Sequence, residues 1–204
     1  MNDFSNKGYV IIKEAITKEM ATMAYNYLLL KRQVFNTMKE KKWLSPTAQE
    51  WGTYADGQVP NTYSIYGDTL METILMYVRP KMEKITELEL VETYSYARIY
   101  KTGDILKKHK DRPSCQISTT LNLGGEKWPI FIEPDVEVNL NHGDMLVYKG
   151  CDLAHWRNEF NGNDCAQVFL HYNDVNSEYK SNNVYDDRPH IGLPAWFRKN
   201  KNEE

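Results

Sequence analysis

His109-Lys110-Asp111 sets an imidazole and a carboxylate two residues apart. Residues i and i+2 of an extended strand project from the same face, so both side chains can grip one ion. Further along, a strand-like run from Met145 to Tyr148 and a tight Lys149-Gly150-Cys151-Asp152 connection lead to His155, which a return strand can bring alongside. Two imidazoles and one carboxylate on one face of an octahedron leave three positions open, an arrangement suited to a non-haem iron(II) that must also bind a chelating ligand and dioxygen. A closed structural zinc site asks instead for four ligands, usually with thiolates. Spacing by itself leaves two readings standing: His109 and Asp111 as metal ligands, or as solvated or core side chains.

Other residues compete for attention. His142, in a turn before Gly143-Asp144, is the rival third ligand, although turn residues of this kind are usually solvated. His171 stands in a run of alternating aromatics and reads as a core or pocket histidine, with contact to a bound ligand as the alternative. Arg112 follows Asp111 directly and, on a regular strand, points to the opposite face, where it can meet a substrate at a pocket mouth. Trp128 and Trp156 read as packing residues. The three cysteines, Cys115, Cys151 and Cys165, are widely spaced and form no Cys-x-x-Cys pair, which speaks against zinc and for a reducing interior.

Elements must position these groups. Gly8-Tyr9-Val10-Ile11-Ile12 predicts a strand, and Thr17 an N-cap for a helix whose apolar positions Ala24, Tyr27, Leu28, Val34, Phe35 and Met38 recur at helical spacing up to the solvated Lys39 to Lys42 end. Residues 43–67 show no sustained period and read as irregular, with room for short strands. Asp68 caps a second helix through Leu70, Ile74, Leu75 and Val78, which Pro80 is expected to kink or divide from Met82 to Ile85. After Leu90 the texture becomes strand-like at Tyr94–Tyr100, Ser118–Leu123, Trp128–Ile132, Met145–Tyr148 and Ala166–Tyr172, punctuated by Gly, Asn and Asp turns. Short strands with no helical pattern between them predict an antiparallel sandwich or barrel. The 14 Tyr and 5 Trp suit a sheet-rich fold without deciding it.

The run from Tyr100 to Asp111, Tyr-Lys-Thr-Gly-Asp-Ile-Leu-Lys-Lys-His-Lys-Asp, resembles the Tyr-x-x-Gly, five residues, His-x-Asp signature of the 2-oxoglutarate and iron(II)-dependent dioxygenases, in their prolyl-hydroxylase-like branch. The resemblance continues through Leu121-Asn122-Leu123-Gly124-Gly125-Glu126, the Gly143-Asp144 turn with its following strand, Gly150 to Arg157, and Gln167 to Tyr172, and so covers roughly residues 91–175. It is similar to small stand-alone oxygenases of that superfamily. It implies a mainly β (α+β) fold, a double-stranded β-helix or cupin-like jelly roll, with residues 1–90 as helical lead-in, 91–175 as barrel and 176–204 as tail of a single domain spanning 1–204. It also implies His109, Asp111 and His155 as iron(II) ligands, with 2-oxoglutarate and dioxygen as cosubstrates and succinate and carbon dioxide as products.

One departure concerns the cosubstrate. Prolyl hydroxylases carry Lys or Arg about ten residues after the distal His to pair the far carboxylate of 2-oxoglutarate, and here Asp164-Cys165-Ala166-Gln167 offers no cation. A buried dicarboxylate still needs a cation or several donors. Arg157, two residues beyond His155 and so on the ligand's face of a strand, is the first candidate, and a surface arginine is its alternative. Lys127 is the second, because related oxygenases place a Lys on the corresponding strand. Tyr100 matches a tyrosine that hydrogen-bonds the cosubstrate in the family, while Thr120 and Gln167 are lesser candidates on flanking strands.

At 204 residues with net charge −3, the chain has the size of one domain and no global basic field, which argues against a polyanion-coating role and against a nucleic-acid substrate. The N-terminus lacks a charged-then-apolar leader, and no run of about 18 apolar residues suggests a membrane span. A soluble protein of the cytoplasm or another intracellular compartment is expected, acting on a small-molecule or peptidyl substrate, with the oligomeric state open. Two competing functions remain: a cupin-type iron oxygenase that does not use 2-oxoglutarate, and a non-catalytic binding module on the same barrel.

Overall fold

The computed structural model describes residues 3–45, 48–179 and 183–198. Two antiparallel sheets face each other. The larger has the order β1 (Tyr9–Ile12), β8 (Met145–Lys149), β5 (Ile117–Gly125), β10 (Asp164–Asp174), β3 (Leu90–Lys101), β2 (Tyr63–Tyr66), and the smaller the order β4 (Leu106–His109), β9 (His155–Arg157), β6 (Ile130–Ile132), β7 (Val136–Val138). From β3 to β10 the chain alternates between the two sheets, except for the β6–β7 hairpin within the smaller one, and this alternation winds it into the expected double-stranded β-helix.

Strand period explains how the larger sheet serves two interiors at once. On β3, β5, β8 and β10 one set of alternate residues, including Ala97, Ile99, Leu121, Leu123, Met145, Val147, Val168 and Leu170, packs with the helices in one apolar core. The intervening set, Tyr94, Tyr96, Arg98, Ser118, Thr120, Tyr148, Gln167 and His171 among them, must face the opposite way, toward the smaller sheet. Both faces are thereby buried, and β5 and β10 are buried along nearly their whole length.

Helix α2 (Lys18–Glu40) starts where Thr17, in extended conformation, accepts a hydrogen bond from the Met20 amide, and buries Ala21, Ala24, Leu28 and Phe35 against the sheet. Asp68 caps α3 (Thr69–Thr86) by accepting from the amides of Leu70 and Met71, and it also receives Tyr27 and Lys31 of α2, which ties the two helices together. Pro80 does not divide α3. It lies on the exposed side, whereas Val78 and Met82 are fully buried, so packing on both sides of the proline outweighs the missing amide bond.

Residues 1–90 supply more than helical support. Beyond a short helix α1 (Asp3–Lys7), they contribute β1 and β2, the two edge strands of the larger sheet. Strands β4, β7 and β9 are only three or four residues long, too short for a periodic pattern to show in the sequence, and the expected strand at Trp128 begins at Ile130. All three cysteines are free. No helix among the described residues is long and apolar enough to cross a membrane.

Candidate metal centre

Strands β4 and β9 pair so that His109 stands directly opposite His155, with ring centroids 4.3 Å apart. Asp111 lies two residues past the end of β4, where its amide donates to the Gly150 carbonyl at 2.9 Å. Its Oδ1 is 3.7 Å from Nε2 of each histidine, and ligand atoms of the three residues lie within 4.8 Å of one another. The return strand expected for His155 is therefore β9. His142 is elsewhere, donating from Nε2 to the Gly125 carbonyl at 3.1 Å.

Each ligating atom is prepared by a neighbour. Nδ1 of His109 lies 2.8 Å from the Lys107 carbonyl, and Nδ1 of His155 lies 3.2 Å from that of Leu153. A carbonyl can only accept, so both Nδ1 atoms carry the proton and both Nε2 lone pairs face the cluster. Burial pushes the His155 imidazole below its ordinary value, against the pull of Asp111, and keeps it neutral and ready to ligate. Ser118 donates to Asp111 Oδ2 at 2.6 Å, and its oxygen is 3.0 Å from Nδ1 of His171. Desolvation lowers the fully enclosed His171 to about 4, so it is neutral near pH 7 and donates to Ser118.

Gly150 matters by close approach. A Cβ there would lie 2.3 Å from the Cys115 carbonyl oxygen and 2.5 Å from Asp111 Oδ2. Only glycine lets the turn after β8 touch the carboxylate.

The cluster opens into a cavity of about 310 Å3. Leu106, Ile130, Tyr148 and Phe169 form its apolar portion, while Asp56, Gln58, Tyr96, Arg98, Lys110 and Arg112 give it a polar side of mixed charge. Tyr94, its ring tilted against that of His171 at 4.6 Å and its hydroxyl hydrogen-bonded to the Cys115 thiol, completes one wall. Arg112 does not point away from the ligands, because the strand ends before it. It lines the cavity, lies over the Tyr94 ring, and donates to both oxygens of Asp186 at 2.8 and 2.9 Å.

The remaining expected site residues divide. Arg157 is buried, with 1% of its surface exposed, and donates to the Trp128 carbonyl and, at 3.3 Å, to Thr120. Thr120 in turn donates to Gln167 at 3.1 Å, so these three form one buried polar chain. Tyr100 is enclosed and accepts from Arg98 at 2.9 Å. None of these four lines the cavity. Lys127 is exposed in the loop before β6 and is not brought to the site, since the strand that was to carry it starts three residues later.

Sequence reasoning missed Arg98, Asp56, Gln58, Ser118 and Tyr148. Arg98 had a signal: it shares a strand face with Tyr100, two residues on. Tyr148, whose hydroxyl is 3.3 Å from His155 Nε2, had one as the inward end of a recognised strand. Asp56 and Gln58 had none, because they come from a segment without periodicity.

The donor set fits iron(II): two neutral imidazole nitrogens and one carboxylate oxygen, with a cavity on the open side. One buried cation, set back from the cavity lining, also lacks a carboxylate partner. The Nε of Arg157 is buried without a hydrogen-bond partner, and no described carboxylate pairs with its guanidinium. Burial pushes Arg157 below its ordinary value, as expected of a cation lacking its counter-charge.

No family model matches the sequence, and no curated protein matches it. Solved structures do. A prolyl-4-hydroxylase from Pseudomonas putida superposes with a TM-score of 0.57 at 13% identity, over 84% of this chain and 95% of that one. The viral collagen prolyl hydroxylase of Paramecium bursaria Chlorella virus-1, in complex with 2-oxoglutarate, gives 0.58 at 12% identity over 85% and 100%. HygX from Streptomyces hygroscopicus, with nickel, 2-oxoglutarate and hygromycin B bound, gives 0.57 at 11% identity over 85% of each chain. At such identities the likeness establishes the fold, which is the double-stranded β-helix of 2-oxoglutarate- and iron(II)-dependent oxygenases.

Proposed function

We propose that this chain, as one oxygenase domain over residues 1–204, is a 2-oxoglutarate-dependent iron(II) oxygenase that hydroxylates a C–H bond of a peptidyl residue or a small molecule. The observation that carries the reading is the convergence of His109, Asp111 and His155, with oriented lone pairs, on the floor of an open cavity. Iron(II) held there would couple decarboxylation of 2-oxoglutarate, to succinate and carbon dioxide, to oxidation of the substrate by dioxygen.

The chain's own groups divide the remaining work. The Lys107 and Leu153 carbonyls fix the imidazoles, and Ser118 fixes the carboxylate. Arg157 supplies the cation for the far carboxylate of 2-oxoglutarate, with Thr120 and Gln167 completing its polar chain and Tyr100 closing the same enclosed end. Leu106, Ile130 and Phe169 keep that end dry, which strengthens the ion pair. Among the structural neighbours, one has hygromycin B bound and others are prolyl hydroxylases by name, so small and peptidyl substrates both remain in view.

Anaerobic titration of the iron(II)-loaded protein with 2-oxoglutarate tests the proposal. A metal-to-ligand charge-transfer band is expected, absent in His109→Ala and much weaker in Arg157→Ala. Arg157 stands off the cavity, and this favours one second reading, an iron enzyme that does not use 2-oxoglutarate. Iron binding without any band in the wild type would establish that reading instead.

A further inference from the structure

Gln58 lies in the turn between the single 3-10 turn Gln49–Trp51 and β2, far from His109 in sequence, yet its Nε2 is 2.8 Å from Nε2 of His109. Because Nδ1 of His109 is the protonated nitrogen, Nε2 is the acceptor and the Gln58 amide is the donor. That lone pair is the one a cation would take. The other end of the carboxamide is held too: Gln58 Oε1 accepts from Arg98 at 3.1 Å.

The turn is pinned independently of this contact. Asp56 Oδ1 accepts from the backbone amides of Gln58 and Val59, and Oδ2 accepts from Tyr96 at 2.7 Å and from Arg98. Val59, 2% exposed, is packed with Tyr100 and Phe169. The contact between Gln58 and His109 can therefore break by side-chain rotation, with the turn itself held in place.

We propose that Gln58 is a gatekeeping residue of the metal centre: its amide competes with the cation for the Nε2 lone pair of His109, and once displaced it stands, still tethered to Arg98, over the open face where ligands bind. This rests on the triad being a metal site. It does not depend on the use of 2-oxoglutarate.

The competition has a sign that a supporting role lacks. A residue that merely shapes the site weakens metal binding when removed, whereas a competitor strengthens it. Losing one net hydrogen bond of ordinary strength corresponds to about two- to tenfold in affinity.

The test is a titration of the full chain with Mn(II), followed by the loss of the free-ion paramagnetic resonance signal, for wild type, Gln58→Leu and His109→Ala. Gln58→Leu keeps the side-chain bulk and is exposed, so folding is not at stake. It is expected to bind Mn(II) about two- to tenfold tighter than wild type, with His109→Ala binding far weaker. In parallel, the side-chain amide resonances of Gln58, identified by their absence from Gln58→Leu, are expected to shift on addition of diamagnetic Zn(II). Equal or weaker Mn(II) binding by Gln58→Leu, with wild-type binding intact, overturns the gatekeeping role and leaves the metal site standing. No binding by any of the proteins overturns both.

Discussion

Two of the buried arginines among the described residues lie on strands, one on each sheet, and their surroundings are opposite. Arg98 on β3 meets Asp56, Gln58 and the Tyr100 hydroxyl. Burial works against its charge, but Tyr100 and Asp56 outweigh it and hold the guanidinium above its ordinary value. Arg157 on β9 has a carbonyl, a hydroxyl and the face of Trp128, 5.0 Å away, and burial pulls it down. A buried ion without a counter-ion is costly enough that it is kept for a purpose more often than for stability. Arg98 closes a pair within the protein, while Arg157 has no such partner among the described residues and, under the proposed function, would keep its charge for an anion that comes from outside.

Substitution at each arginine breaks this comparison if it is wrong. Arg98→Met strands the buried Asp56, and loss of about 3–5 kcal/mol in unfolding free energy is expected by denaturant titration, partly restored in Arg98→Met/Asp56→Leu. Arg157→Met removes an uncompensated charge and is expected to leave stability within about 1 kcal/mol of wild type, yet to weaken 2-oxoglutarate binding about a hundredfold, the scale of one lost charge-assisted pair. Arg98 lines the cavity and Arg157 does not. If Arg98→Met instead loses the cosubstrate while Arg157→Met keeps it, the roles are exchanged.

His171 sharpens the contrast, because an imidazole can do what a guanidinium cannot: give up its proton. Buried among Tyr94, Ser118 and Arg112, it titrates at about 4 in the folded chain, against an ordinary 6.5. Between these values the unfolded chain binds the extra proton, so stability rises with pH across the window and is lost as pH falls through it. Going from about pH 7 to about pH 4.5, this one group withdraws about 2 kcal/mol, and His171→Gln is expected to lose correspondingly less over the same range.

How far the sequence foretold this arrangement depends on which strand carried the residue. The convergence of His109, Asp111 and His155 was legible because their spacing matches a known signature, and the burial of Arg157 because i and i+2 share a strand face. Thr17 and Asp68 announced the helices through capping chemistry, and the apolar period of α2 survived into its buried face. Lys127 failed for a local reason: the run Gly-Gly-Glu-Lys reads as leading into a strand, but β6 is only three residues long and begins later. Arg98 stood only as one member of the strand-like run Tyr94–Tyr100, and no pattern within β3 says that its second face is enclosed by another sheet. Asp56 and Gln58 are set in place by contacts with β3 and His109, distant in sequence, so their segment has no signature of its own.

The carboxylates repeat the contrast between the arginines, and here the smallest effect is expected. Asp56 is committed to Arg98, which with the Tyr96 hydroxyl holds its carboxyl below the usual range in spite of burial. Asp111 has no arginine or lysine partner among the described residues; it has the Ser118 hydroxyl on one oxygen and the two imidazoles facing the other. Its freedom depends on Gly150, whose missing side chain leaves the carboxylate room. In Gly150→Ala the new methyl would press on the Cys115 carbonyl and on Asp111 Oδ2. The backbone oxygen cannot yield without moving β5, so the carboxylate yields. A rotated Asp111 keeps its charge but loses its alignment with the histidines, so Mn(II) binding is expected to weaken about tenfold while Arg98 and Asp56 remain paired. Gly150→Ala binding metal as wild type would mean that the turn after β8 has slack, and that Ser118 alone holds the ligand in place.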